Sequence, residues 1–76
     1  MVIVVFRKEN ERLASVCTKM FDNVDVAKKY IEEDADFFCS KNHGSIKCGW
    51  IKPDTFDYYM VTTKDFVNCI WQYFEI

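Results

Sequence analysis

The first apolar segment lies at the amino end of the chain. Residues 2–6 read Val-Ile-Val-Val-Phe, with no polar residue between them. Such a run predicts a strand that is covered on both faces or lies centrally in a sheet. The polar segment 7–12 predicts a turn, and the mixed segment 13–21 predicts the second strand of a hairpin. One side of that second strand carries Ala14, Val16, Thr18 and Met20.

A helix is predicted to follow this hairpin. Asp22 is a suitable N-cap, and Asp25 stands three residues later, as in a capping box. Phe21 and Val26 are spaced for a hydrophobic staple. The pattern predicts a helix to about residue 36, followed by a loop over 40–45. Its apolar stripe, at the spacing of a helix packed on one face, is Ala27, Tyr30, Ile31, Ala35 and Phe38.

Strand-forming residues dominate the remainder of the chain. Segments 46–52 and 55–63, separated by a turn at Pro53-Asp54, predict a second hairpin. The last segment, 65–76, fits either of two structures. Its β-branched and aromatic residues favour a strand, whereas Thr62 and Asp65 would cap a short helix. We favour the strand.

This order of elements predicts a single α+β domain over residues 1–76. We expect an antiparallel sheet of four to five strands with one main helix packed on one face, in the order ββαββ plus a C-terminal strand or short helix. Half of the residues are apolar, and the aromatic residues are seven Phe, four Tyr and two Trp. Because a chain this short buries only about 60% of its unfolded surface, some of these aromatic rings must lie near the outside, where they often mark an interface.

The segment Phe21 to Glu33, between a strand hairpin and aromatic strands, resembles small phage and mobile-element proteins of ββαββ type. The likeness depends on Phe21, Ala27, Tyr30 and Ile31 and covers most of the chain. It implies a lineage in which many members have no known activity and some inhibit bacterial defence systems stoichiometrically, as anti-CRISPR proteins do. The resemblance assigns no functional residues.

Charge and cysteine content narrow the class of function. Twelve Asp and Glu outnumber ten Lys and Arg, and the basic residues form no run. A nucleic-acid-binding protein normally carries a basic stripe, so direct binding to nucleic acid is disfavoured. The N-terminal apolar run is too short for a signal sequence or a membrane span. We therefore expect a cytoplasmic protein without membrane contact, in which the four cysteines are reduced thiols.

One segment suggests catalytic or metal-binding chemistry. Cys39, His43 and Cys48 could form a nucleophile–base pair, or bind zinc together with Cys17 or Cys69. The spacing matches none of the usual paired-cysteine zinc motifs, and nothing marks an oxyanion hole or a substrate pocket. We predict no catalytic residues, no metal site and no cofactor. A zinc- or dimer-stabilised structural module stays open as an alternative.

A contact surface is predicted from two groups of residues. The acidic group Glu32, Glu33, Asp34 and Asp36 lies where negative charge opposes the helix dipole. It is either a solvated helix face or a patch that recognises a basic, nucleic-acid-binding surface on a partner protein. Tyr59 and Trp71, of residue types enriched at binding hot spots, are the expected aromatic contacts.

The sequence thus predicts a small macromolecule-binding protein that acts stoichiometrically, with inhibition of a bacterial defence complex as its specific form. Self-association as a homodimer is an alternative, since a second copy would also cover exposed aromatic rings. The same reasoning predicts that the protein is not an enzyme.

Overall fold

A computed structural model describes residues 1–9, 17–52 and 57–76, with the backbone alone for 17 and 18. Segments 10–16 and 53–56 lie outside the described residues, and with them the predicted turn at Pro53-Asp54 and the predicted strand positions Leu13, Ala14 and Val16. The elements are β1 (Val2–Lys8), β2 (Cys17–Phe21), α1 (Val24–Lys41), β3 (Ile46–Ile51), β4 (Tyr58–Thr62) and β5 (Asn68–Glu75).

The strands form one antiparallel sheet in the order β2-β1-β5-β4-β3. This confirms the α+β class and shows that the last element is a strand. β5 lies at the centre of the sheet, paired with β1 on one side and β4 on the other. Residues 69–72 of β5 are all buried. β5 has a neighbouring strand on each edge, and these strands shield its side chains on both faces of the sheet. β1 is also an interior strand, as its apolar run predicts.

Both predicted hairpins pair as expected. Val2 lies opposite Phe21 in the first, and Trp50 lies opposite Tyr59 in the second. A bulge interrupts β3, where the register shifts between Lys47 and Gly49. Gly49 has φ +82°, a conformation that side chains with a Cβ rarely adopt, so this irregularity depends on glycine.

The helix begins one residue later than predicted. Its N-cap is Asn23, whose Oδ1 accepts a hydrogen bond from the Val26 backbone N–H at 3.0 Å, so the assignment of Asp22 as the cap is wrong. Asn and Asp cap about equally well, and the pattern of side chains could not separate adjacent candidates. With this cap, the predicted staple and capping box are also displaced, and Val26 is left 48% exposed.

The helix also ends later than predicted. It continues to Lys41, so Ser40 and Lys41 are helical rather than part of a loop. Asn42 ends it, donating its backbone N–H and its side-chain amide to the Phe38 carbonyl at 3.0 and 2.9 Å. Within the described ranges, no helix is long and apolar enough to cross a membrane.

The core lies between α1 and one face of the sheet. Ala27, Ile31 and Ala35 are fully buried along the helix, and Tyr30 and Phe38 flank them, which confirms the predicted apolar stripe. Small alanines at two of the three central positions let the helix approach the sheet closely. The buried side chains of the sheet on this face are Val2, Val4, Tyr59, Val61, Cys69 and Trp71.

The N-cap assignment gives a matched test. Replacing Asn23 with Ala removes the acceptor for the Val26 N–H, and we expect it to lower the free energy of unfolding by about 1 kcal/mol. Asp22→Ala removes a neighbouring side chain that does not cap and should lower it clearly less. Urea unfolding followed by circular dichroism measures both, and equal losses would contradict the assignment.

Candidate protein-binding surface

Three of the four residues in the acidic group of α1 bind side chains of the sheet. Asp34 is half-buried, and its Oδ2 accepts a hydrogen bond from the indole Nε1–H of Trp71 at 3.0 Å. A buried indole N–H needs an acceptor, and Asp34 supplies it across the helix–sheet interface. The main role of Asp34 is therefore structural, and its carboxylate is only partly available to a partner.

Two further carboxylates of the group bind side chains of β3. Glu32 Oε1 accepts from the Trp50 Nε1–H at 2.9 Å, and Asp36 forms an ion pair with Lys47. Both lie on the flank of α1 that faces β3. Both carboxylates are exposed, so each contact is individually weak. Together the two contacts connect the helix to this edge of the sheet. Of the predicted acidic patch, Glu33 alone points fully outward.

The expectation that Tyr59 and Trp71 are exposed contacts is wrong. Trp71 is 1% exposed and Tyr59 is 9% exposed. They lie opposite each other on β5 and β4, on the face that α1 covers. The Trp71 ring lies 4.7 Å from the ring of Phe6, 5.7 Å from that of Phe38 and 6.2 Å from that of Tyr59, measured between centroids. These rings form the centre of the core.

The residues considered for catalysis or zinc are dispersed among different elements. Cys39 is half-buried on α1, Cys48 is exposed on β3, and His43 is exposed in the turn between them. Across the described residues, no group of three or more His, Cys, Asp or Glu could hold a metal ion. Burial raises the pKa of the Cys39 thiol, which lowers the fraction of reactive thiolate at neutral pH.

The face of the sheet opposite α1 carries mostly apolar side chains. Side chains alternate along each strand, so the strand register fixes which residues share this face. We call it the outer face and define it by its apolar members among the described residues: Ile3, Val5, Met20, Ile46, Ile51, Tyr58, Met60, Ile70 and Phe74.

The outer face is exposed at its margins. Met20 is 57% exposed and Phe74 44% exposed at one end of the sheet. Ile70, at the middle of the face between Arg7 and Met60 on the adjacent strands, is only 3% exposed. Exposed apolar side chains that continue into a buried centre mark interaction surfaces more often than isolated ones do.

Two polar side chains interrupt the outer face. Gln72 is 8% exposed on β5, and Arg7 is half-buried on β1. The Arg7 Nε–H donates to Gln72 Oε1 at 3.4 Å, a long hydrogen bond. This guanidinium is the one cationic group within the apolar part of the face, as far as the described residues extend.

A second exposed aromatic ring lies in the turn between β4 and β5. Phe66 is 89% exposed and has φ +64°, which is unusual for a residue with a large side chain. The turn is held by hydrogen bonds from Thr63 N–H to the Val67 carbonyl and from Phe66 N–H to the Thr63 carbonyl, at 2.9 and 3.0 Å. It is separate from the outer face.

Sequence reasoning did not identify the outer face as an apolar surface. The alternation of residues 58–61 showed that Tyr58 and Tyr59 face opposite sides, but only the strand order shows which side α1 covers. Comparisons with protein-family models, curated proteins and solved structures returned no match for this chain. The surface is therefore interpreted from its own chemistry.

The Asp34–Trp71 hydrogen bond can be tested by substitution. Asp34→Ala leaves the buried indole N–H without its acceptor, and we expect the free energy of unfolding to fall by about 1–3 kcal/mol. Asp34→Asn keeps an acceptor oxygen and should lose less. Glu33→Ala, one residue along the helix but pointing outward, is the control. Denaturant unfolding would contradict the assignment if Asp34→Ala and Glu33→Ala were equally stable.

Thiol alkylation reports the placement of the cysteines. With iodoacetamide near neutral pH we expect Cys48 to react first, because it is exposed, and Cys39 to react more slowly, because its pKa is raised. Cys69 is fully buried and should react only when the core opens. Peptide mapping by mass spectrometry gives the order, and denatured protein gives the reference rates. Faster reaction at Cys69 than at Cys48 would contradict the structure.

Proposed function

We propose that this chain is a stoichiometric protein-binding module whose contact surface is the outer face of its sheet. The observation that carries the proposal is the second apolar face: one side of the sheet is buried under α1, and the other presents aliphatic and aromatic side chains that include the exposed Met20 and Phe74. A protein partner that covers this face would bury them. Each fully buried side chain of this size contributes about 1.5–3 kcal/mol.

The acidic residues of α1 have a secondary role in this proposal. Because Glu32, Asp34 and Asp36 already bind side chains of the sheet, using them for a partner would compete with helix–sheet contacts. Glu33 and the exposed oxygens of its neighbours still give this side a negative potential, which would speed encounter with a basic, nucleic-acid-binding protein surface. Because α1 lies on the opposite side of the sheet, this potential does not orient a partner onto the outer face and is separate from the proposed contact surface.

The resemblance to small phage and mobile-element proteins suggests where a partner would be found. Inhibitors of bacterial defence complexes bind their targets stoichiometrically, and a small domain with a large apolar face suits that mode of action. Protein components of such complexes are therefore the first partners to test.

The test is partner capture with matched surface variants. The full chain is immobilised and exposed to bacterial lysates that contain defence complexes, and bound proteins are identified by mass spectrometry. We expect Met20→Lys combined with Phe74→Lys to abolish binding of the specific partner, because two charges would be placed in the interface. Phe37→Lys is the control, since Phe37 is 62% exposed on α1, away from the sheet.

The variants separate the competing surfaces. Binding that survives the outer-face double variant would overturn the proposal. Loss of the partner on Phe66→Ser, with the outer-face variant still binding, would move the contact surface to the turn between β4 and β5. Circular dichroism and thermal melting confirm that each variant is folded before it is compared.

A further inference from the structure

We propose that the outer face selects a partner segment that is apolar and carries a carboxylate, which pairs with Arg7. This inference rests on the proposed function and names the chemistry of the partner. An amphipathic helix with one Asp or Glu among its apolar residues has this composition. Five strands about 4.8 Å apart span roughly 20 Å, so a helix of about 10–12 Å diameter fits across them.

Arg7 is a cation without a carboxylate partner among the described residues, where its one side-chain hydrogen bond is the long contact to Gln72. Glu9, two positions later in the chain, accepts from Asn68 Nδ2 at 2.9 Å. The guanidinium offers further N–H donors, and Arg7 lies opposite Ile70 on β5.

Covering this face changes the surroundings of Arg7. In the free protein, water solvates the half-buried guanidinium; under a partner, that water is displaced. Burying a cation without a counter-ion is strongly unfavourable, whereas a carboxylate aligned with the guanidinium forms two parallel hydrogen bonds. A partner with a carboxylate at this position is therefore bound in preference to one with an apolar or basic residue there.

A second copy of the chain satisfies this requirement poorly. Two-fold stacking of outer faces would bring two Arg7 side chains into one apolar interface. The acidic group of α1 could not pair with them, because it lies on the opposite side of the sheet. A basic partner would be repelled by Arg7 at the centre of the contact, although it could be attracted to α1.

The probe is a displayed library of random 15-residue peptides, selected on the immobilised full chain. We expect the enriched peptides to combine apolar residues with Asp or Glu. For a synthetic peptide from the enriched set, Arg7→Gln should weaken binding by roughly 30-fold, as should Glu→Gln in the peptide. Arg7→Glu should favour peptides with Lys or Arg instead. Lys29→Glu makes the same change in net charge on the exposed side of α1 and should leave the selection unchanged.

The possible outcomes distinguish failure of this inference from failure of the proposed function. Apolar peptides without acidic enrichment, bound equally by the Arg7→Gln variant, would overturn the inference and leave the proposed function standing. Enrichment of basic peptides on the wild-type chain would also overturn it. If no peptide is enriched, or if Met20→Lys with Phe74→Lys does not reduce binding, both proposals fail. A wild-type dimer in sedimentation equilibrium that the double variant dissociates would make a second copy the occupant and overturn the inference.

Discussion

The burial of the Trp71 side chain is the contact on which the rest of the structure depends. Its ring lies on the central strand and contacts the rings of Phe6, Phe38 and Tyr59, which come from α1 and both neighbouring strands. A ring buried this deeply must still satisfy its N–H. Asp34 meets that need from the helix, so this hydrogen bond joins the helix and the sheet at a defined point. Apolar packing holds the two layers together, and this polar contact fixes their alignment.

The position of the helix on the sheet also determines which groups its acidic side chains contact. The acidic group was expected near the helix C-terminus, but α1 continues to Lys41 and leaves it mid-helix, where the dipole has little effect. Three of its carboxylates contact an indole N–H, a second indole N–H and an ammonium group. The acidic group thus belongs largely to the helix–sheet interface. On the other side of the sheet, apolar side chains surround a cation instead.

The sequence predicted the fold more fully than the site. Strand and helix periodicity placed both hairpins, the helical stripe and the fold class, because local pattern and burial agree along the chain. The predicted N-cap was wrong by one residue because Asp22 and Asn23 are equally suitable capping residues. Tyr59 and Trp71 were misplaced for a different reason. Alternation shows that neighbours face opposite sides, but which side the helix covers depends on strand order, a long-range property. The contacts of the acidic side chains are made with Lys47, Trp50 and Trp71, which lie 11 to 37 residues away in sequence. No local pattern reveals such contacts.

The bulge in β3 also bears on how the molecule meets other proteins. β3 and β2 are the two border strands of the sheet, and a border strand offers unpaired backbone groups to any extended chain that comes alongside. The irregularity at Cys48, with its left-handed Gly49, breaks the even spacing of those groups and twists the strand. Adding a sixth strand at this border is thereby discouraged. Contacts on the two faces of the sheet, in contrast, are made by side chains, which single substitutions can change.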